Sequence, residues 1–116
     1  MAMALSLSPN AKIVLERRYL KKDENGNITE TPEDLFSRVA ATIAGADILF
    51  DPDADVKKTE KRFYRMLSRL RFMPNSPTLM NAGRRLGQLA ACFVLPIDDS
   101  MESIFETIKH TALIHK

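Results

Sequence analysis

Tryptophan is absent from this 116-residue chain and cysteine occurs once, at Cys92. A lone cysteine has no internal partner, which excludes a disulfide framework. It supplies at most one thiolate, so a cysteine-based metal centre has no support either, and no metal site is expected. Such cysteine usage fits a reducing compartment. Long apolar runs are also missing, with nothing approaching the roughly 20 apolar residues that cross a bilayer. Met1 to Leu7 is mildly apolar without the basic start and long apolar stretch of a secretory leader. The expected location is therefore the cytoplasm, with no membrane partner. Aromatic residues make up only 7% of the chain, so a core has to be assembled from aliphatic side chains, methionine and six phenylalanines. The net charge of +2 neither demands nor excludes a polyanionic partner.

What is present is a series of helix starts. Ser8-Pro9 pairs a capping hydroxyl with proline at the first helical position, and Ala11, Val14, Leu15 and Tyr19 follow on one face. Thr31-Pro32-Glu33-Asp34 repeats the device and adds two acids where the helix dipole is positive. The helix it opens carries Leu35, Phe36, Val39, Ala40 and Ile43 as its buried stripe and weakens or ends at Gly45. Between these two helices, Asn25-Gly26 sits between short extended flanks, the pattern of a tight hairpin, since both residues tolerate positive φ.

Phe50 to Asp55 reads as a polar connector, in which Asp53 or Asp55 caps a third helix with Val56, Phe63, Met66, Leu67 and Leu70 inward. Its other face is basic, from Lys57 to Arg71. This is read as a solvated surface, since no aromatic residues are interleaved for base stacking; a nucleic-acid surface is the weaker alternative. Met73 to Gly83 is rich in turn formers yet too apolar for a solvent-exposed linker, so it reads as a packed loop. Ala90 to Leu95 is a continuous apolar run bounded by Gly87 and Pro96, the signature of a strand buried on both faces. Asp98-Asp99-Ser100 then caps a last helix, with Glu102 closing a capping box to Asp99 and with Met101, Ile104, Phe105, Ile108 and Ala112 as its buried stripe. A strand followed at once by a helix opens a strand-helix-strand unit whose second strand this chain lacks.

Few residues invite chemistry. Ser76-Pro77 is a further cap-plus-proline pair, either purely structural or a holder of an anion through its hydroxyl and free amides. By pattern alone, Cys92 is an inert buried thiol, or else a redox thiol with a partner outside the chain. His110 and His115 are five apart and lack the four-residue spacing that stacks two imidazoles on a metal, so both read as surface residues.

Met73-Pro-Asn-Ser-Pro-Thr-Leu-Met-Asn-Ala-Gly83, Leu86 through Cys92 to Pro96, Asp99 to Phe105 and Ala112 to Lys116 closely resemble the large catalytic chain of ribonucleotide reductases, above all the adenosylcobalamin-dependent type. Asn10 to Tyr19, the Asn-Gly turn and Glu30 to Asp34 are similar to that family's all-helical N-terminal domain. The resemblance implies a mainly α fold: an all-helical domain with a small hairpin over residues 1–85, then over 86–116 the first strand and helix of a ten-stranded α/β barrel that is otherwise missing. It makes the chain the N-terminal part of an enzyme that converts ribonucleotides to deoxyribonucleotides for DNA replication, inactive by itself.

In this likeness Cys92 is one of two thiols that form a disulfide as the ribose 2′-hydroxyl leaves. Ser76 is the hydroxyl residue contacting the nucleotide, and Ala91 places its backbone beside the substrate without a side-chain hydroxyl. The implied cofactor is adenosylcobalamin, bound outside this segment. The implied partners are the remainder of the catalytic chain, the ribonucleotide and a thioredoxin-like reductant, with room for a homodimer and no nucleic acid. Only about nine residues precede the helical domain, so ATP and dATP control through a preceding cone is not expected in this piece. The competing expectation is a standalone helical binding or regulatory module without catalytic activity.

Overall fold

The computed structural model describes residues 5–116. Residues 1–4, part of the opening stretch read as lacking a leader, lie outside them, while Leu5 and Leu7 pack against the core. Five α-helices account for the regular structure: α1 (Pro9–Arg18), α2 (Pro32–Gly45), α3 (Val56–Ser68), α4 (Ser76–Asn81) and α5 (Met101–His115). A 3-10 turn, Ala46–Leu49, extends α2 past Gly45. The chain is mainly helical, and no strand forms among the described residues.

The local signals behave as their chemistry requires. Ser8 Oγ accepts from the Ala11 amide at 3.2 Å with Pro9 at the first helical position. Thr31 and Asp34 form a reciprocal capping box, and the Thr31 amide and hydroxyl hold the Asp34 carboxyl below its ordinary range. Of the two candidates for α3, Asp55 is the cap, accepting from the Lys58 amide at 3.0 Å. Helix α2 is the centre of the body: Leu35 and Phe36 are fully buried, with Val39, Ala40 and Ala44 beside them. Burying a side chain of this size contributes about 1.5 to 3 kcal/mol each. Leu15, Leu20, Leu67, Leu79 and Ala82 close the same cluster from the other segments.

Several expectations need correction: the stretch read as a packed loop contains helix α4, and the α5 stripe is not buried. On α1 only Leu15 is buried; Val14 is exposed, because this short helix meets the body along one narrow line. The hairpin reduces to a single antiparallel bridge between Lys22 and Ile28. Gly26 has φ of +84° but Asn25 does not take positive φ, because Asp23 Oδ1 accepts from the amides of both Asn25 and Asn27 and builds a wider turn. At α5 the cap is Ser100, which accepts from the Ser103 amide, while Ser103 Oγ takes the Asp98 amide; Glu102 closes no box. Finally, Ala90 to Leu95 is irregular and mostly exposed. A strand exists only against a neighbour that takes up its amides and carbonyls, and these residues supply none.

Helix α3 ends with an unexpected residue. Leu70, counted above as part of the inward stripe, lies past the helix with φ of 53° and is half exposed. The Leu70 amide donates to the Leu67 carbonyl and the Arg71 amide to the Met66 carbonyl at 3.0 Å, the paired bonds of a Schellman ending. A leucine in this left-handed position costs about 1 to 2 kcal/mol. Replacing it with glycine raises stability by on the order of 0.5 to 1 kcal/mol, the strain relieved less the extra chain entropy. A thermal melt of Leu70→Gly checks this, and a lower midpoint would count against it.

A buried ion pair ties α2 to the segment before it. Arg38 on α2 grips Glu30 through Nε to Oε1 at 2.7 Å and Nη2 to Oε2 at 3.1 Å, and both side chains are nearly sealed from solvent. The same guanidinium donates to the carbonyls of Leu79 and Ala82 at the end of α4. Burial works against the Glu30 charge, but the Arg38 hydrogen bonds, the Lys21 amide and the nearby Arg84 charge outweigh it and hold the carboxyl below its usual range. Gly83, at φ of +70°, lies against Thr42 and the Arg38 stem, so close that a Cβ would fall 2.8 Å from Thr42 Oγ1.

Candidate functional site

Ser76, Ala91 and Cys92 lie on a stretch that α4 organises. Ser76 is the first residue of α4 and not its cap. Asn75 is the cap, its Oδ1 accepting from the Thr78 amide at 3.1 Å. That corrects the amide inventory, because the Thr78 N–H is spent on Asn75 and Pro77 has none to give. What Ser76 offers is chiefly its exposed hydroxyl, which lies 2.8 Å from the Tyr19 phenol across 57 residues of sequence.

Three polar side chains of α4 and its cap then carry the chain toward Cys92. Asn75 Nδ2 donates to the Leu89 carbonyl at 3.3 Å, the Thr78 hydroxyl donates to Asn75 Oδ1 and braces that side chain, and Asn81 Nδ2 donates to the Gln88 carbonyl at 2.8 Å. Gln88 Nε2 continues to the Ala90 carbonyl at 3.1 Å. No motif assigns these four side chains a role. The signal was present in the two asparagines bracketing the apolar turn, because asparagine in a packed loop is kept where its amide satisfies backbone carbonyls.

Cys92 is a free, exposed thiol. Among the described residues its sulfur is not enclosed by hydrocarbon, because residues 90–95 have no neighbouring strand to cover them. With Gln88, Ala91, Phe93 and Leu95 it lines an open cavity of about 430 Å³ whose other wall is Thr111, Ile114 and His115 of α5. His115, read above as a surface residue, thus faces the same space as the thiol. His110 is instead engaged by Glu106 on its own helix, at 3.2 Å.

A second cavity, about 400 Å³ and almost wholly apolar, opens between α2 and α3 and is lined by Ile43, Phe63, Met66 and Phe72 among others. The basic residues of α3 point to solvent, and Lys57 pairs with Glu60 at 2.9 Å. Among the described residues no helix is long and apolar enough to cross a membrane.

The chain matches the family of the ribonucleotide reductase all-alpha domain over residues 5–87. It is similar to the vitamin B12-dependent ribonucleoside-diphosphate reductases of Thermoplasma acidophilum, at 41% identity, and Mycobacterium tuberculosis, at 45%. Each alignment takes in 97% of this chain, and 22% and 16% of the respective relative. Ribonucleoside-diphosphate reductase large chain 2 of Saccharomyces cerevisiae is 42% identical over 88% of this chain and 11% of its own length. The chain thus spans about a fifth or less of the relatives it matches.

Proposed function

The chain belongs to the ribonucleotide reductase family through its all-alpha N-terminal domain, and we propose that it works as the opening part of a cytoplasmic ribonucleoside-diphosphate reductase large chain. In this reading residues 1–85 are the helical domain and 86–116 begin the ten-stranded catalytic barrel. Residues 90–95 become the barrel's first strand once neighbouring strands take up their backbone groups. The family match ending at residue 87 and the relatives' likeness across 97% of the chain support this division. The single observation that carries the site is the exposed thiol of Cys92 beside Ala91 in an open cavity.

Reducing the ribose 2′ carbon replaces its C–O bond by a C–H bond. Two thiols supply the two electrons and two protons; the hydroxyl leaves as water and the sulfurs join as a disulfide. Cys92 is one of those thiols and the other comes from elsewhere in the complete enzyme. A thioredoxin-like dithiol then returns the pair to its reduced form. Ser76 presents its hydroxyl to the nucleotide and Ala91 presents backbone.

The family relatives that depend on vitamin B12 make adenosylcobalamin the radical source of the complete enzyme. The residues of this chain do not fit that group. Three cavities among the described residues, about 400 to 440 Å³ each, suit ligands of modest size and fall short of a corrinoid with its nucleotide tail. The cofactor belongs outside this segment, and no step here runs through it.

In the full-length chain carrying this segment, a saturating ribonucleoside diphosphate slows alkylation of Cys92 by iodoacetamide several-fold, measured by mass spectrometry of the peptide. Equal rates with and without nucleotide would remove Cys92 from the substrate site. The competing module reading draws on the closed core around Phe36 and Leu35, and it expects no nucleotide protection in any complete chain.

A further inference from the structure

The Tyr19 phenol and the Ser76 hydroxyl meet at 2.8 Å, joining the end of α1 to the start of α4. Tyr19 is the better anchored of the two. Its ring packs against the core cluster, its amide donates to the Leu15 carbonyl, and its own carbonyl accepts from Arg84 Nη2 at 3.5 Å. Ser76 is exposed, and among the described residues Tyr19 is the hydrogen-bond partner of its hydroxyl. A serine hydroxyl left to itself rotates among three staggered positions, so an unheld Ser76 would meet a ligand in the right orientation only part of the time.

The direction of the bond matters as well. A phenol is a stronger acid than an aliphatic alcohol and the better hydrogen-bond donor, while the alcohol oxygen is the better acceptor. With Tyr19 donating to Ser76 Oγ, the serine's own proton is left to donate elsewhere. Hydrogen bonds in such a chain polarise one another, which strengthens the outer bond to an anionic acceptor.

We propose that Tyr19 is a positioning residue for the nucleotide substrate: its phenol donates to Ser76 Oγ, fixes that hydroxyl and leaves the serine proton for a phosphate oxygen. This rests on the reading of Ser76 as a substrate contact. Tyr19 touches no reacting atom and acts through Ser76 alone.

The test uses the full-length reductase carrying this segment, with Tyr19→Phe, Ser76→Ala, Ser76→Thr and the double variant Tyr19→Phe/Ser76→Ala. Tyr19→Phe keeps the ring and its packing. It raises KM for a ribonucleoside diphosphate about threefold to tenfold, the usual worth of one hydrogen bond, with kcat within about twofold. Ser76→Ala raises KM at least as much, Ser76→Thr recovers most of the loss, and the double variant equals Ser76→Ala, because the phenol has nothing left to act through.

If Tyr19→Phe leaves KM unchanged while Ser76→Ala raises it, the role of Tyr19 is overturned and the substrate contact stands. If Ser76→Ala leaves KM unchanged, the substrate contact itself fails and Tyr19 with it. Additive effects in the double variant, or a lower melting temperature and kcat at constant KM, would make Tyr19 an independent or merely structural residue and overturn the proposal.

Discussion

Replacing Cys92 with serine in the complete reductase abolishes multiple turnover with a dithiol reductant, a loss of roughly a thousandfold or more in kcat. Serine fills nearly the same space, so binding of nucleotide is retained and the defect falls on chemistry. The reason is electron count. A hydroxyl cannot join a sulfur as a stable disulfide, so the two electrons that convert C–OH to C–H have no source. Sustained turnover by Cys92→Ser, measured as deoxyribonucleotide formed over many cycles, would show that this sulfur is not part of the dithiol.

Arg38→Ala destabilises the chain by about 3 to 5 kcal/mol, because it strands a buried carboxylate and releases two carbonyls of α4 at once. At roughly 4 to 8 °C per kcal/mol for a domain of this size, the melting midpoint falls by more than about 10 °C. Arg38→Lys does not restore it, since one ammonium cannot span both carboxylate oxygens and the two carbonyls. The pair also sets a pH dependence. The Glu30 carboxyl titrates lower in the folded chain than in the unfolded one, so its stabilisation is complete above the ordinary carboxylate value of about 4.3 and is lost as pH falls through the folded value. Thermal melts between pH 7 and pH 3 read this loss, and Glu30→Gln flattens it. A midpoint for Arg38→Ala within a few degrees of the parent would contradict the account.

Helix starts were legible because their causes are local. Ser8-Pro9 and Thr31-Pro32 each act within three residues and cap their helices through the hydroxyl the sequence points to, and of the two aspartates it offers for α3, Asp55 is the cap. Ser76-Pro77 carried the same signature and misled by one position, since Asn75 reaches the Thr78 amide first. The Glu30–Arg38 tie was invisible, because an acid and a base eight residues apart look like any two surface charges until the carbonyls of Leu79 and Ala82, more than forty residues away, converge on the guanidinium.

Ala90 to Leu95 shows a different limit. An apolar run records what the residues require and says nothing about who provides it; here the provider is not among these residues. Periodicity alone made Cys92 inert, and only the resemblance of the surrounding motifs assigned it chemistry.

Helix α5 has no buried residue, and Met101, Phe105, Ile108 and Leu113 all face water. The helical body can close its own core from local contacts while α5 still waits for a cover. During synthesis that leaves an interval in which a finished domain trails a sticky amphipathic rod, the kind of surface that holdase chaperones recognise.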